Sequence, residues 1–358
     1  MVVGKPNLIK KYNSTIIHEM ISEHGPISKP ELVGLTALSL PTVNKLVDEL
    51  VSLGLVQEGP PHNTGNAGRK AKSYISNNDA GYVVTLYYTS KGWIGGLCNL
   101  AGSFEEQEHF TSSSENAEVL LADLKAAFSR LSAHCRGQVI GIGLGIPGVV
   151  DGDRVTSIPQ IPCWEGTHLR TILENSFDMP VFIENDVKLL TVGYYARECP
   201  KTCNNLLLLS IGNGLGSGMI INQKLYKGAN CFAGECGYMI VDENQPYSGE
   251  ATLEQRICCL AQKIQKGDER LKNEYLRLIA RILVNFITVI DPQRIAIQDD
   301  SIDNKAVRFL EQELRNYIPC KLPRISIVNG NEIGLYGAYR LCFSNTIPCM
   351  KFVEQRGI

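Results

Sequence analysis

The sequence predicts an α/β protein with a small helical unit at its amino-terminal end and a larger body in two halves. Residues 1–75 contain three helical patterns followed by a short hairpin pattern. From about residue 80 onward, strand patterns alternate with helical ones, as in α/β folds. The length of 358 residues exceeds what one compact core normally holds, so two or three domains are expected.

Composition and charge narrow the class of protein to which the chain can belong. The chain is 44% hydrophobic and 20% charged, as folded globular proteins are. It has no run of about 18 apolar residues and no secretory signal pattern, so we expect a cytoplasmic protein without a membrane span. Its 12 cysteines show no CxxC pair, and we expect mostly small buried side chains instead of disulfides or metal ligands. Residues 1–75 carry eight Lys or Arg against six acids, a weak indication of a polyanionic partner.

The first two helices are marked by an apolar face and a cap. The first is predicted by five residues on one face: Ile9, Ile16, Ile17, Met20 and Ile21. Ser28 then precedes "KPELVGL", and Glu31 follows it three residues later, which is a capping box for a second helix. The segment "TALS" breaks the pattern.

A third helix and a hairpin complete this unit. Ser39 is placed to cap the helix, Pro41 lies near its start and Gly54 ends it. Its buried stripe consists of Val43, Leu46, Val47 and Leu50. Two strands are then predicted by "GLVQEGP" and "SYIS", joined by the glycine-rich, cationic "PHNTGNAGRKAK".

A helix pair followed by a hairpin with a basic tip predicts a winged helix-turn-helix, a DNA-binding domain over residues 1–78. Polar side chains of the third helix suit base edges, and cations of the hairpin suit phosphates or the minor groove. The candidate DNA-binding residues are Ser39, Thr42, Asn44, Lys45, Arg69, Lys70 and Lys72. The alternative is a protein-interaction module whose polar face is only solvated.

The body shows two successive sets of strands and helices. In the first half, strands are predicted by "GYVVTLYY", "GWIGGLCNL", "VIGIGLGIPG" and "MPVFIEND", and a helix by "NAEVLLADLKAAFSRLSAH". In the second, "NNLLLLSIGNGLGSGMIINQKLY" predicts a hairpin, and the helix "EYLRLIARILVNFITVI" precedes the strands "RIAIQD" and "RISIV". A cleft between the halves is the expected ligand site.

Four segments of the body resemble the ROK family of sugar kinases and sugar-responsive repressors: "GIGLGIPGVVDG", "PVFIENDVKLL", "IGNGLGSGMIINQKLYKGANCFAGECGYM" and "LEQR". The resemblance covers roughly residues 80–345. It implies a two-lobed actin-like ATPase (ribonuclease H-like) fold, with lobes at 79–195 and 196–358 and a C-terminal helix packing back on the first lobe. With the winged unit in front, the chain resembles the repressor branch.

The resemblance also implies a sugar site. Asn185 and Asp186 match the family's Asn-Asp pair, which holds sugar hydroxyls and whose aspartate is the general base in the kinases. Glu235, Tyr238 and Glu254 match further positions of the sugar site, with Tyr238 in place of a histidine. Carboxylates that accept paired hydroxyl donors make a good polyol receptor. The alternative is that Asp186 only caps the following helix.

Departures from the family pattern argue against catalysis. The first phosphate loop falls on residues 87–91, where Tyr87 replaces the aspartate that organises Mg²⁺, and Thr89 and Ser90 replace glycines. The segment "IAIQDDS" places two negative charges where the kinases have a glycine pair beside the adenine. We therefore expect no catalytic residue, with Asp186 a vestigial base, and no cofactor.

The family's structural zinc site is also altered. Its histidine is Tyr238, and the segment that normally carries cysteines, "IVDENQPYSGEATLE", has none. The nearby Cys231, Cys236, Cys258 and Cys259 lack a recognisable ligand spacing, so no metal is expected.

The sequence favours a sugar-responsive transcriptional regulator, most simply a repressor of carbohydrate-utilisation genes. Its expected partners are double-stranded operator DNA, a small sugar effector and a second copy of the chain, because two-fold operators match two-fold proteins. Further pairing into a tetramer stays open. The alternatives are an ATP-dependent sugar kinase with a DNA-binding extension, and a scaffold that binds neither sugar nor nucleotide.

Overall fold

The computed structural model of the chain describes residues 6–60, 72–212, 214–240, 252–328 and 332–346. They form an N-terminal unit and two lobes, each lobe built on a five-stranded sheet. Within these ranges no helix is long and apolar enough to cross a membrane.

The N-terminal unit packs three helices around a small antiparallel sheet with the order β1-β3-β2. The Glu31 carboxylate accepts hydrogen bonds from the Ser28 N–H and hydroxyl at 2.8 and 2.7 Å, which confirms the predicted capping box. Ala37 ends the second helix in the left-handed conformation, and Ser39 caps the third, as predicted. The elements are α1 (Pro6–His24), β1 (Ile27–Ser28), α2 (Lys29–Thr36), α3 (Leu40–Ser52), β2 (Val56–Glu58) and β3 (Ser73–Ser76).

The first lobe is a mixed sheet with the order β10-β7-β4-β5-β6. Its elements are β4 (Gly81–Thr89), β5 (Gly92–Asn99), β6 (Phe104–Phe110), α4 (Ala117–Ser132), β7 (Gln138–Ile146), β8 (Val149–Asp151), β9 (Arg154–Ser157), α5 (Leu169–Phe177), β10 (Val181–Asn185) and α6 (Asp186–Glu198). Both faces of this sheet are covered, which explains why β4 is apolar almost throughout.

The second lobe is a sheet with the order β13-β12-β11-β14-β15. Its strands and helices are β11 (Leu206–Ile211), β12 (Leu215–Ile221), β13 (Lys224–Leu225), α7 (Leu253–Gln265), α8 (Lys272–Ile290), β14 (Arg294–Gln298), α9 (Asn304–Arg315) and β15 (Arg324–Ile327). A further helix, α10 (Glu332–Thr346), follows β15 in the chain. The apolar face of α8 fills the core of this lobe.

Helices α6 and α10 cross in backbone contact. A Cβ on Gly193 would lie 2.0 Å from the Ile333 carbonyl oxygen, and a Cβ on Gly337 would lie 1.9 Å from the Leu189 carbonyl oxygen. Only glycine permits so close an approach. Because α10 also packs on β4 and β7, the last helix among the described residues lies against the five-stranded sheet of the first lobe.

The N-terminal unit docks on α10 as well. Residues of α1, the first sheet and α10 share one core, namely Ile17, Met20, Val83, Cys98, Tyr339 and Phe343. The imidazole of His18 packs on the Phe343 ring with centroids 5.2 Å apart, and Glu19 forms an ion pair with Arg340. Burial lowers the pKa of His18 to about 4, so this side chain is neutral at pH 7.

The sequence did not indicate several elements. Strand β6, "FEEQEHF", lies at the edge of its sheet and is apolar only at its two ends, and the short strands β8 and β9 carry too few residues for a periodic signal. Helices α5, α7 and α9 were also not predicted, although each covers one lobe core with a narrow apolar stripe.

Candidate functional site

Asn185 joins β10 to α6 and is buried. Its side-chain oxygen accepts from the Lys188 N–H at 3.0 Å, and its amide group donates to the Gly148 carbonyl at 3.2 Å. Asn185 is therefore the helix cap, and the alternative in which Asp186 is the cap is wrong. The amide also ties α6 to the turn after β7.

Asp186 is the first residue of α6 and is half-buried. Burial raises its pKa to about 7; the Val187 N–H, which donates at 2.8 Å, opposes this rise, and the nearby charge of Glu235 adds to it. A carboxyl group poised near neutrality can donate or accept a hydrogen bond to a ligand hydroxyl.

Two further acids and a lysine lie around Asp186. Burial raises the pKa of Glu235, the positive charge of Lys188 lowers it, and Glu254 raises it further. The charge of Glu235 acts on Asp186 and that of Glu254 acts on Glu235, which indicates that these three carboxyl groups, distant in sequence, lie near one another. We call the space between Asp186, Lys188, Glu235 and Glu254 the acidic cleft.

Lys188 is the site residue that sequence reasoning missed. It is only 1% exposed, and its ammonium group donates to the Cys231 carbonyl at 2.5 Å. A buried lysine needs such partners because desolvation of its charge is costly. The available signal was a lone cation inside the apolar run "VKLLTV", two residues after Asp186.

Glu254 anchors a glycine turn of the second lobe. Its carboxylate accepts from the Leu215 N–H at 2.9 Å, and it abuts Gly214 and Gly237, where a Cβ would lie 3.1 and 2.8 Å from the same oxygen. One carboxylate oxygen is thus bound to the protein.

The segment 226–235, which we call the bridging loop, connects the second lobe to the first. Its Lys227 forms an ion pair with the buried Glu184 of β10. The Cys231 thiol donates weakly to Asp151 of β8 at 3.8 Å. Together with Lys188, these contacts close one side of the acidic cleft. Sequence reasoning missed Glu184 and Lys227, since nothing local links them.

Tyr238 does not join the other predicted site residues. Its side chain is 58% exposed and packs on Phe232 with ring centroids 5.4 Å apart. Its neighbours Met239 and Ile240 are exposed as well. The predicted contact between Tyr238 and a sugar has no support in this arrangement.

Tyr87 fills the space behind Asp186. Its ring lies so close to Gly145 and Gly334 that a Cβ at either position would be within 2.5 Å of a ring carbon. Its hydroxyl donates to the Asp186 carbonyl oxygen at 3.0 Å. A bulky phenol therefore stands where the phosphate-loop resemblance called for a carboxylate.

The turn that follows Tyr87 is closed by its own side chain. The Thr89 hydroxyl donates to the Gly92 carbonyl at 2.9 Å and accepts from the Lys91 N–H at 3.2 Å. The Lys91 N–H is thereby occupied, whereas a phosphate loop presents free N–H groups.

Two glycines of "GNGLGSG" have packing roles against α6. A Cβ on Gly218 would lie 1.9 Å from the Thr191 hydroxyl oxygen, and one on Gly216 would lie 3.0 Å from Val187. Packing explains these two glycines without a nucleotide, whereas a Cβ on Gly212 would meet no atom within 4 Å.

The two aspartates of "IAIQDDS" differ in exposure. The Asp299 carboxylate is buried and accepts from the Tyr275 hydroxyl at 2.6 Å and from the Ser301 N–H and hydroxyl at 2.8 and 2.7 Å. Asp300 is exposed, so of these two side chains it is the one that faces solvent.

The four nearby cysteines are dispersed: Cys236 is buried, Cys231 and Cys258 are half-buried, and Cys259 is exposed. In the part of the chain that the structure describes, no three side chains of His, Cys, Asp or Glu are grouped as metal ligands are.

The candidate DNA-binding residues that the structure describes lie at the start of α3 and next to β3. The Ser39 and Thr42 hydroxyls are 2.8 Å apart, Asn44 is half-buried and Lys45 is exposed. Lys72 forms an ion pair with Glu58 at 2.6 Å, which raises its pKa. Arg69 and Lys70 lie outside the described residues.

Comparisons with known proteins agree on one family. Residues 94–250 match the model of the ROK family. The xylose repressor of Bacillus spizizenii is 30% identical over 250 residues, 69% of this chain, and the chain spans 65% of that protein's length.

Two solved structures share the mixed α/β fold. A ROK family transcriptional regulator, a homolog of the E. coli MLC protein, matches 94% of this chain and 97% of its own with a TM-score of 0.76 at 19% identity. The ROK hexokinase of Thermus thermophilus matches 73% of this chain and 97% of its own with a TM-score of 0.62 at 23% identity.

Proposed function

The chain carries a ROK family domain, and on this premise we propose that it is a sugar-responsive transcriptional repressor. A sugar in the acidic cleft changes the affinity of the N-terminal unit for operator DNA. The observation that carries the proposal is the position of α10, which packs on Tyr87 beside Asp186 and on α1 of the N-terminal unit. The acidic cleft and the N-terminal unit thus both adjoin helix α10.

The proposed effector is a sugar because several carboxyl groups of the acidic cleft can accept hydrogen bonds from sugar hydroxyls. Asp186 and Glu235 are each half-buried, and the positive charge of the buried Lys188 acts on both carboxyl groups. Vicinal hydroxyls match such paired oxygens. We expect Asn185 to act mainly by fixing the position of Asp186, because both ends of its amide are bound within the protein.

The N-terminal unit is proposed to be a winged helix-turn-helix, with α3 in the major groove and the β2–β3 hairpin as the wing. Lys45 and the hydroxyls of Ser39 and Thr42 lie at the start of α3, where recognition helices contact base edges. Leu40, 47% exposed at the same end, suits a thymine methyl group. Lys72 pairs with Glu58, so part of its positive charge is neutralised before any contact with a phosphate.

The proposed coupling runs through α10. The Tyr87 hydroxyl holds the Asp186 backbone, the Tyr87 ring lies on Gly334, and the same helix carries Arg340, the partner of Glu19. A sugar that displaces Asp186 therefore shifts α10 and changes the packing of α1 on it. A coupling free energy of about 1–3 kcal/mol changes DNA affinity about 5- to 150-fold.

Kinase activity is not part of the proposal. Tyr87 supplies no metal ligand in place of an aspartate, and Thr89 closes the turn that would bind phosphate. We further propose a homodimer, because one winged unit reads a single half-site.

The test is calorimetry of the full chain against a panel of sugars that includes xylose, with and without Mg-ATP, followed by DNA anisotropy. We expect one sugar to bind without ATP and to shift DNA affinity. Asp186→Asn should abolish the shift. Asp178→Asn is the matched control, since Asp178 is exposed on the same lobe and occupies a left-handed position that asparagine tolerates.

Two results would contradict the proposal. ATP-dependent turnover that disappears in Asp186→Asn would identify a kinase. No sugar affinity, together with normal DNA binding, would favour the scaffold alternative.

A further inference from the structure

Two adjoining cavities lie at the edge of the second sheet opposite the acidic cleft. Strands β14 and β15 begin there with Arg294 and Arg324, while the glycine turn beside Glu254 follows the other end of β11. The cavities measure about 580 and 420 Å³, and both are lined by Arg294 and Arg324. This space is separate from the proposed sugar site.

The larger cavity has a strong excess of positive charge. Its lining includes the cations Arg294, Arg315, Lys321 and Arg324 but only one acid, Glu311. Among the ion pairs of the described residues, none involves these four cations. The Arg294 guanidinium donates to the Glu198 backbone carbonyl at 3.4 Å, which leaves its charge unneutralised.

The strand register places two of these cations side by side. Arg294 and Arg324 are direct partners in the parallel pair β14–β15, so both side chains project from the same face of the sheet. The two adjacent guanidinium charges repel each other, and an anion bound between them would be attracted to both. Guanidinium forks bind phosphate through paired hydrogen bonds, and a cavity of about 580 Å³ has the size of a small-molecule site.

We propose that this cavity binds a phosphorylated small metabolite, as a second ligand site beside the acidic cleft. A phosphate is repelled by the carboxylates of the acidic cleft and attracted here. The cavity is an open, concave depression, a shape that suits a compact anion better than an extended duplex backbone.

The wall of the cavity also touches the N-terminal unit. Pro200 and Thr202 line it, and Lys201 between them forms an ion pair with Glu23 of α1 at 3.6 Å. Occupancy of the cavity thus acts next to the proposed DNA-binding unit.

The experiment is calorimetry of the full chain with inorganic phosphate and with glucose 6-phosphate at constant ionic strength. We expect saturable binding of glucose 6-phosphate that weakens at least about tenfold in Arg315→Gln/Arg324→Gln. Arg324→Lys, which keeps the charge but loses the fork, should weaken binding less. Circular dichroism confirms folding of each variant.

Two controls give the inference its specificity. Arg308→Gln removes the same charge from an exposed position of α9 outside the cavity and should leave binding unchanged. Asp186→Asn should also leave it unchanged. The inference is overturned by absence of saturable binding of either phosphate, by equal weakening in Arg308→Gln, or by loss in Asp186→Asn. It is also overturned if Arg315→Gln/Arg324→Gln lowers only duplex DNA affinity.

Discussion

At the scale of single residues, the site depends on two carboxyl groups, Asp186 and Glu235, whose pKa values are raised above the ordinary ones. Burial raises the pKa of Asp186 to about 7, and the Glu235 charge adds to this. Lys188 offsets part of the negative charge from a position with almost no solvent contact. The acidic cleft therefore carries a smaller net charge at neutral pH than its sequence composition implies, which favours a neutral polyol over a cation.

This pKa gives a pH-dependent stability prediction for Asp186→Asn. The folded pKa is about 7 and the ordinary value 3.8, so the folded state keeps a proton that the unfolded state loses between these values. The wild type should lose stability relative to Asp186→Asn as pH rises from about 4 to 7, by on the order of 2–4 kcal/mol, and the difference should level off by about pH 8. Urea unfolding at pH 4.5 and 8 measures the difference; equal differences at both pH values would refute the assignment.

At the scale of elements, the crossing of α6 and α10 decides how the site is connected. Glycines of both helices allow backbone contact, so α10 follows any shift at the start of α6. The glycine-rich strand β12 packs on the other side of α6. Helix α6, which begins with Asp186, is thus packed between α10 and strand β12 of the second lobe.

Gly337→Ala should disrupt this crossing. The added methyl group would lie 1.9 Å from the Leu189 carbonyl oxygen, so the helices must separate, and we expect a loss of about 3 kcal/mol in the free energy of unfolding. Gly34→Ala in α2 is the matched control, because no atom lies within 4 Å of its added Cβ. It should be neutral or stabilising by up to about 1 kcal/mol. Denaturant unfolding compares the two, and similar losses in both would contradict the packing account.

At the scale of the whole molecule, one hydrophobic core joins the N-terminal unit to the first lobe. The neutral His18 lies inside this core, and the Glu19–Arg340 pair lies beside it. Such a junction holds the DNA-binding unit in a defined orientation. An effector need only alter this docking to change operator affinity.

Loss of the junction should uncouple the two sites without removing either. Arg340→Gln breaks the ion pair with Glu19, and Tyr87→Phe removes the hydrogen bond to Asp186 while it keeps the ring. In both variants we expect the sugar-dependent change in DNA affinity to fall at least about threefold, with sugar binding retained. Arg277→Gln breaks a more exposed ion pair, with Glu313 in the second lobe, and should change nothing. DNA anisotropy with and without sugar reads the outcome, and full coupling in both variants would exclude the α10 route.

Much of the fold could be predicted because its signals are local. The capping box of Ser28 and Glu31, the stripe of α3 and the apolar strands β4, β7, β11 and β14 are set by neighbours in sequence. The edge strand β6 lacked such a signal.

The sequence by itself also determined the position of Asp186, at a strand-to-helix junction, and the loss of the phosphate-loop aspartate at Tyr87. Only the tertiary structure decided that Asn185 is a cap, that Lys188 and the bridging loop complete the acidic cleft, and that Tyr238 points outward. It also placed α10 between the site and the N-terminal unit. These features rest on contacts between residues far apart along the chain, and packing of the lobes, not local preference, sets which of them meet.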